Sequence, residues 1–209
     1  MPAHDSARPI SEARSATSKR ARTRRRVLEA ALQCVAEKGV AGATATEIAE
    51  RCGLSWGVIQ YHFKDRVGLY LALLESGVEG LESSLAGLET ATSDPADRVA
   101  SLVDGMWGGM RRDGYRVLLE IQLQLGREPA HRARVRRQMR QMRSQLDDAW
   151  RKALPEFDPE RVAKAERLAT TSLRGLALER AVEGNRAAYA AEREAIIEAL
   201  LPILGLEAD

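Results

Sequence analysis

Apolar residues recur at helical spacing from one segment of this chain to the next, and no stretch shows the strict alternation that a half-buried strand requires. An all-α fold is expected. In segment 22–38, Leu28, Ala31, Leu32 and Val35 fall at i, i+3, i+4 and i+7, and Gly39 stands at the C-cap position. A short helix is expected over about 45–51, capped by Thr44, and a second from Ser55 to Phe63, with Gly53 in the turn between them. Helix, Gly-containing turn and helix make a helix-turn-helix layout.

The remainder reads as a bundle. A long helix runs from Asp65 to about Glu89 with Val67, Tyr70, Leu71, Leu74, Val78, Leu81, Leu85 and Leu88 on one stripe. After Ser93-Asp94-Pro95, the residues Val99, Leu102, Val103, Met106 and Met110 line the next helix. The segment YRVLLEIQLQL is apolar round most of its circumference and is expected to be buried. A basic helix follows from about 130 to 154, then one from Pro159 to about Val182 capped by Asp158, and a last one that Pro202 is expected to stop at Leu201. The domain organisation implied is a flexible basic N-terminal arm over 1–20, a DNA-binding helix-turn-helix domain over 21–66 and a larger effector-binding and dimerisation domain over 67–209.

Charge distribution points to a polyanionic partner. Residues 1–64 hold 11 Lys and Arg against 6 Asp and Glu, whereas residues 65–209 hold 21 against 24. Lys19, Arg20, Arg22, Arg24, Arg25 and Arg26 concentrate the surplus in eight residues at the front of the chain, around the start of the first helix. Cys34 and Cys52 are too few for a disulfide framework, and His4, His62 and His131 lack metal-ligand spacing, so no metal and no cofactor is expected. No apolar run approaches the roughly 20 residues that cross a bilayer, and the first residues lack the apolar stretch of a secretory signal, so a cytoplasmic protein is expected. An enzyme has no clustered nucleophile, base or phosphate loop to work with.

On a helical wheel, Ile59 and Phe63 form the buried side of the second short helix, with Ser55 and Trp56 flanking it. Gly57, Val58, Gln60, Tyr61 and Lys64 point away. That face suits a major groove: Gly57 permits close backbone approach, Val58 can touch a thymine methyl, Gln60 can bond an adenine edge, and Tyr61 and His62 can donate to phosphates.

The stretch RRRVLEAALQCVAEKGVAGATATEIAERCGLSWGVIQYHF, running into KDRVGLYLALLE, resembles the tetracycline-repressor (TetR/AcrR) family of bacterial transcriptional regulators. The resemblance implies that Thr44, Ser55, Tyr61, His62 and Arg66 hold phosphates and that Trp56, Val58 and Gln60 read bases, with Thr46 as a further contact. Many relatives carry Arg or Lys at the position of Trp56 and an aromatic residue at that of Gln60. Trp56 either reads bases or completes the small domain's core.

For the larger domain, Met106, Trp107, Met110, Met139, Met142 and Trp150 offer flexible and flat apolar surface for a small effector. Gln122 falls within the stripe of Tyr115, Leu118 and Leu125, so its amide is expected to be buried, bonded either to a ligand or to a neighbouring helix. The face of Arg132, Arg134, Arg136, Arg137, Arg140 and Arg143 is either solvated or a second nucleic-acid surface. Small residues Ala165, Ala169, Ser172 and Gly175 with Leu176, then Tyr189, Ile196, Leu200 and Leu204, suggest a homodimer through the two C-terminal helices. The expected function is a dimeric regulator, read as a repressor, that binds a palindromic operator in double-stranded DNA and is released by a small apolar or amphipathic effector. The alternative is a DNA-binding regulator with no effector, its bundle serving only to dimerise.

Overall fold

The computed structural model describes the backbone of residues 10–86, 94–184 and 189–206, and the side chains of residues 18–77, 94–184 and 189–206. The elements are α1 (Ile10–Gly42), α2 (Ala45–Cys52), α3 (Trp56–Phe63), α4 (Arg66–Ala86), α5 (Pro95–Met110), α6 (Asp113–Arg127), α7 (Pro129–Ala153), α8 (Pro159–Glu183) and α9 (Ala190–Leu204). The expected break at Ser93 lies outside the described residues, as do residues 1–9 of the expected arm. The stripe positions Val78, Leu81 and Leu85 have no described side chain, and Leu88 lies outside altogether. The chain forms two compact units, residues 1–72 and 73–209.

In the first unit, α1 begins at Ile10, so residues 10–20 are helical where an arm was expected. The segment carries Ala, Arg, Lys and Glu, which favour a helix without giving it an apolar stripe. At the other end, Gly39 (φ 70°) breaks the helix at the expected position. Thr44 caps α2 by accepting from the Glu47 N–H while Glu47 reaches back to the Thr44 N–H, a reciprocal capping box. Gly53 closes α2 in the left-handed region (φ 59°). Val27, Ala31, Val35, Ile48, Ile59, Phe63 and Leu69 meet in the core. Tyr70 ties the unit together, its buried hydroxyl within 3.3 Å of the Val40 carbonyl and 3.2 Å of the Ala43 carbonyl.

In the second unit, α5 contributes Val99, Leu102, Val103, Met106, Trp107 and Met110 to a core shared with Leu146 and Trp150 of α7, Ala165, Ala169 and Leu173 of α8, and Leu200 and Leu204 of α9. Asp94 and Asp158 cap α5 and α8, each followed by Pro at the first position, as expected.

Three expectations fail here. First, α6 is not enclosed: it buries Val117, Ile121 and Leu125, leaves Tyr115, Leu118 and Gln122 half-buried, and exposes Leu123 to 65%. An apolar circumference does not say which stripe meets the core. Second, α9 continues through Pro202 to Leu204, because a proline in the last turn removes one N–H and Gly205 (φ 84°) then caps the end. Third, Ala165, Ala169, Tyr189, Leu200 and Leu204 lie in the chain's own core and do not face a partner. The outward apolar face of α8 is instead Leu168, Leu178 and Val182, the last 80% exposed, in line with Thr171 and Gly175.

Candidate nucleic-acid interface

α3 is eight residues long and is positioned from both ends. The Ser55 hydroxyl oxygen accepts from the Val58 N–H at 3.4 Å, fixing the first turn, while Ile59 and Phe63 anchor the inner face. That leaves Gly57, Val58, Gln60, Tyr61 and Lys64 exposed, Tyr61 to 73%, as the wheel predicts. Trp56 and His62 are half-buried on the flanks. Thr44 and Thr46 are exposed at the start of α2, and the Thr44 hydroxyl is already engaged in the capping box, donating to Glu47 at 3.1 Å.

The cations of α1 reach this helix, which sequence alone did not indicate. The Arg20 guanidinium stacks over Tyr61 and that of Arg24 over Phe63, each 5.6 Å from the ring centroid. The i, i+4 spacing of the two arginines is the signal that could have placed them on one face. Arg26 lies against the turn, its guanidinium 2.8 Å from where a β-carbon on Gly53 would sit. Arg66, half-buried at the start of α4, stacks over Tyr70 at 5.8 Å. Burial and the nearby Arg20 and Arg24 charges hold the His62 pKa below its ordinary value, so the ring is mainly neutral at neutral pH and keeps one N–H to donate.

The junction between α3 and α4 is strained. Lys64 has φ 70° and ψ −58°, and the Asp65 N–H bonds to the Phe63 carbonyl at 2.9 Å, which closes a three-residue γ-turn on a non-glycine residue. Asp65 then caps α4 by accepting from the Gly68 N–H at 2.6 Å. The scaffold behind is laced by ion pairs from α1 to α2: Lys38 with Glu47, and Arg51 with Glu37. The Lys38 ammonium first, and then the Thr44 backbone, hold the Glu47 carboxyl down at about 2.

The residues expected to bind an effector lie in the second unit and divide into two groups. Met106, Trp107, Met110 and Trp150 are in the closed core, where Trp107 meets Tyr189 edge-to-face at 5.7 Å. Tyr115, Leu118, Gln122, Met139 and Met142 are half-buried. The indole N–H groups of Trp107 and Trp150 are both buried without an acceptor among the described residues. Such donors are costly to leave unmade.

Residues 27–73 match the bacterial regulatory proteins of the tetR family. Over 99 residues the chain is 32% identical to the HTH-type transcriptional activator FasR of Mycolicibacterium smegmatis, covering 46% of this chain and 45% of that protein. Over 124 residues it is 34% identical to the HTH-type transcriptional repressor AcnR of Corynebacterium glutamicum, covering 57% of this chain and 60% of that one. The chain thus spans about half the length of the curated relatives it matches. The crystal structure of the transcriptional regulator FadR from Bacillus subtilis, in complex with stearoyl-CoA, has a TM-score of 0.65 at 15% identity, covering 84% of this chain and 96% of that one, a likeness of fold.

Proposed function

The chain belongs to the tetR family of bacterial regulatory proteins through its residues 27–73, and on that premise we propose that it is a cytoplasmic repressor that binds a palindromic operator as a homodimer and releases it on binding a small effector. The exposed face of α3 carries this reading. Val58 and Gln60 project from a helix held rigidly by Ile59 and Phe63, and Gly57 lets the backbone close on base edges. Trp56 flanks that face as a base contact. Thr44, Thr46, Ser55, Tyr61, His62, Lys64 and Arg66 surround it with donors suited to phosphates, and Arg20 and Arg24 add charge from α1.

A second copy fits the outward faces of the two C-terminal helices. α8 offers Leu168, Thr171, Gly175, Leu178 and Val182, and α9 offers exposed Ala191, Ala195 and Pro202, small enough for close helix approach. The effector reading draws on the unpartnered indoles of Trp107 and Trp150, which an acceptor-bearing ligand among Met106, Met110 and their half-buried neighbours would satisfy. Binding would favour a dimer whose recognition helices no longer match the operator spacing, with α4 as the covalent link between the units.

Selection of bound duplexes from a random pool tests the central reading. Two inverted half-sites about one helical turn or more apart are expected. An unenriched pool at low salt opposes DNA binding, and a single unrepeated half-site opposes the dimer. The close packing of Met106, Trp107 and Trp150 favours a second reading, in which the bundle serves dimerisation alone. A diverse apolar ligand library that raises the melting temperature for no compound supports it, since a native-state ligand must stabilise.

A further inference from the structure

The C-terminal end of α5, the first turn of α6 and the last turns of α8 enclose a cleft of about 190 Å³, lined by Met110, Arg112, Asp113, Arg116, Ala177, Arg180, Ala181 and Gly184. That is space for roughly six waters. Its floor is apolar, with Met110 and Ala177 almost fully buried. Its rim carries three guanidinium groups against one carboxylate. We propose that this cleft binds a small organic anion, its phosphate or carboxylate head among Arg112, Arg116 and Arg180 and a short apolar stem on the Met110–Ala177–Ala181 floor.

Two of the three cations meet a carboxylate in solvent-exposed ion pairs. Arg112 pairs with no carboxylate among the described residues. Arg116 lies 3.7 Å from Glu120 on its own helix, an exposed pair whose attraction water screens. Arg180 meets Asp113 at 3.3 Å, and Asp113 is 86% exposed, so a multiply charged oxyanion can displace it at small cost. A further arginine near the site, Arg174, donates its Nε–H to the Tyr115 hydroxyl at 3.1 Å and adds positive charge. This site belongs to residues 73–209 alone and does not rest on the DNA-binding reading.

Titration calorimetry of the full chain, at constant ionic strength in chloride, tests it with inorganic phosphate and phenylphosphate as probes. Phenylphosphate is expected to bind roughly ten-fold tighter than phosphate because its ring covers the apolar floor. The double variant Arg112→Gln/Arg116→Gln should lose at least about ten-fold in affinity, while Arg136→Gln, an exposed arginine on α7, should change nothing. Asp113→Asn, which removes the competing carboxylate, should tighten binding several-fold. In parallel, the Met110 methyl resonance should shift on titration of the unmutated chain and that of Met139 should not, so the test stands even if a variant fails to fold. Absence of heat and of a Met110 shift, equal affinity for the two probes, or unchanged binding in the double variant would each overturn the proposal.

Discussion

The two units of this chain are held together by different means. In residues 1–72 the two short helices α2 and α3 are fixed behind α1 by chemically specified ends and links: the Thr44–Glu47 box, the Gly53 turn, the strained Lys64 link and the Tyr70 hydroxyl on two carbonyls. Residues 73–209 rely on longer helices, two of them of 25 residues, around a broad apolar core in which Trp150 is wholly buried. Their glycines show the contrast. A β-carbon at Gly68 would lie 1.9 Å from the Phe63 carbonyl oxygen, whereas one at Gly77 would meet, at 2.3 Å, the tip of the Leu118 side chain. Backbone cannot withdraw, but a leucine rotamer can. A small unit gains its precision from backbone polar geometry, and a large one tolerates local change because many side chains share the adjustment.

The largest effect that could break this contrast is in the core of the larger unit. Trp150→Ala should cost about 4 kcal/mol in chemical denaturation. A cost under about 1 kcal/mol would mean that the larger unit is not held by that core. Next, Gly68→Ala should cost the smaller unit about 3 kcal/mol, and Gly77→Ala less than about 1 kcal/mol. Equal losses in urea titrations would erase the distinction between backbone and side-chain neighbours. Gln60→Ala should relax base preference at its own operator position by about 2 kcal/mol and leave the melting temperature unchanged, which separates recognition from folding within the same helix. Lys64→Gly should stabilise the smaller unit by about 1 kcal/mol, since glycine accepts the γ-turn dihedrals and loses part of the gain to chain entropy.

The smallest effect is one of sign with pH. Glu47 in the smaller unit has its carboxyl held at about 2, below its ordinary 4.5, so its stabilisation is complete above 4.5 and fades as pH falls toward 2. Glu166 in the larger unit is pushed upward by burial, moderated by the Thr170 hydroxyl that donates to it at 2.7 Å. Its carboxyl is favoured neutral, so stability is lost as pH rises from 4.5 through its raised value. Thermal unfolding against pH should therefore flatten on the acid side in Glu47→Gln and on the rising side in Glu166→Gln. Slopes of the same sign would contradict the assigned environments.

Legibility in the sequence followed the same division. In the smaller unit the caps, the turn glycine and the outward face of α3 could all be read, because an eight-residue helix between two local signals has one face left to bury. Three features escaped: the helical start at Ile10, the stacking of Arg20 and Arg24 on α3, and the γ-turn at Lys64. None leaves an apolar period. In the larger unit the helix ends were legible except at Pro202, yet the buried stripe of α6 proved to be Val117, Ile121 and Leu125 and not that of Gln122, and Ala165 and Ala169 of α8 turned inward while Gly175 stayed exposed. A helix apolar on several sides, or lined with alanine, carries too little contrast to choose.

By itself, then, the sequence determined an all-α chain, most of its helix boundaries apart from the start of α1 and the end of α9, and a helix presenting Val58, Gln60 and Tyr61 outward, because caps, glycines and periodicity act over a few residues. Only tertiary structure decided which stripes of α6 and α8 are buried, that Trp107 and Trp150 keep their indole N–H groups without acceptors, and that Arg112, Arg116 and Arg180 converge on one cleft. Those outcomes depend on helices far apart in the chain competing for the same neighbours, a competition that no local pattern records.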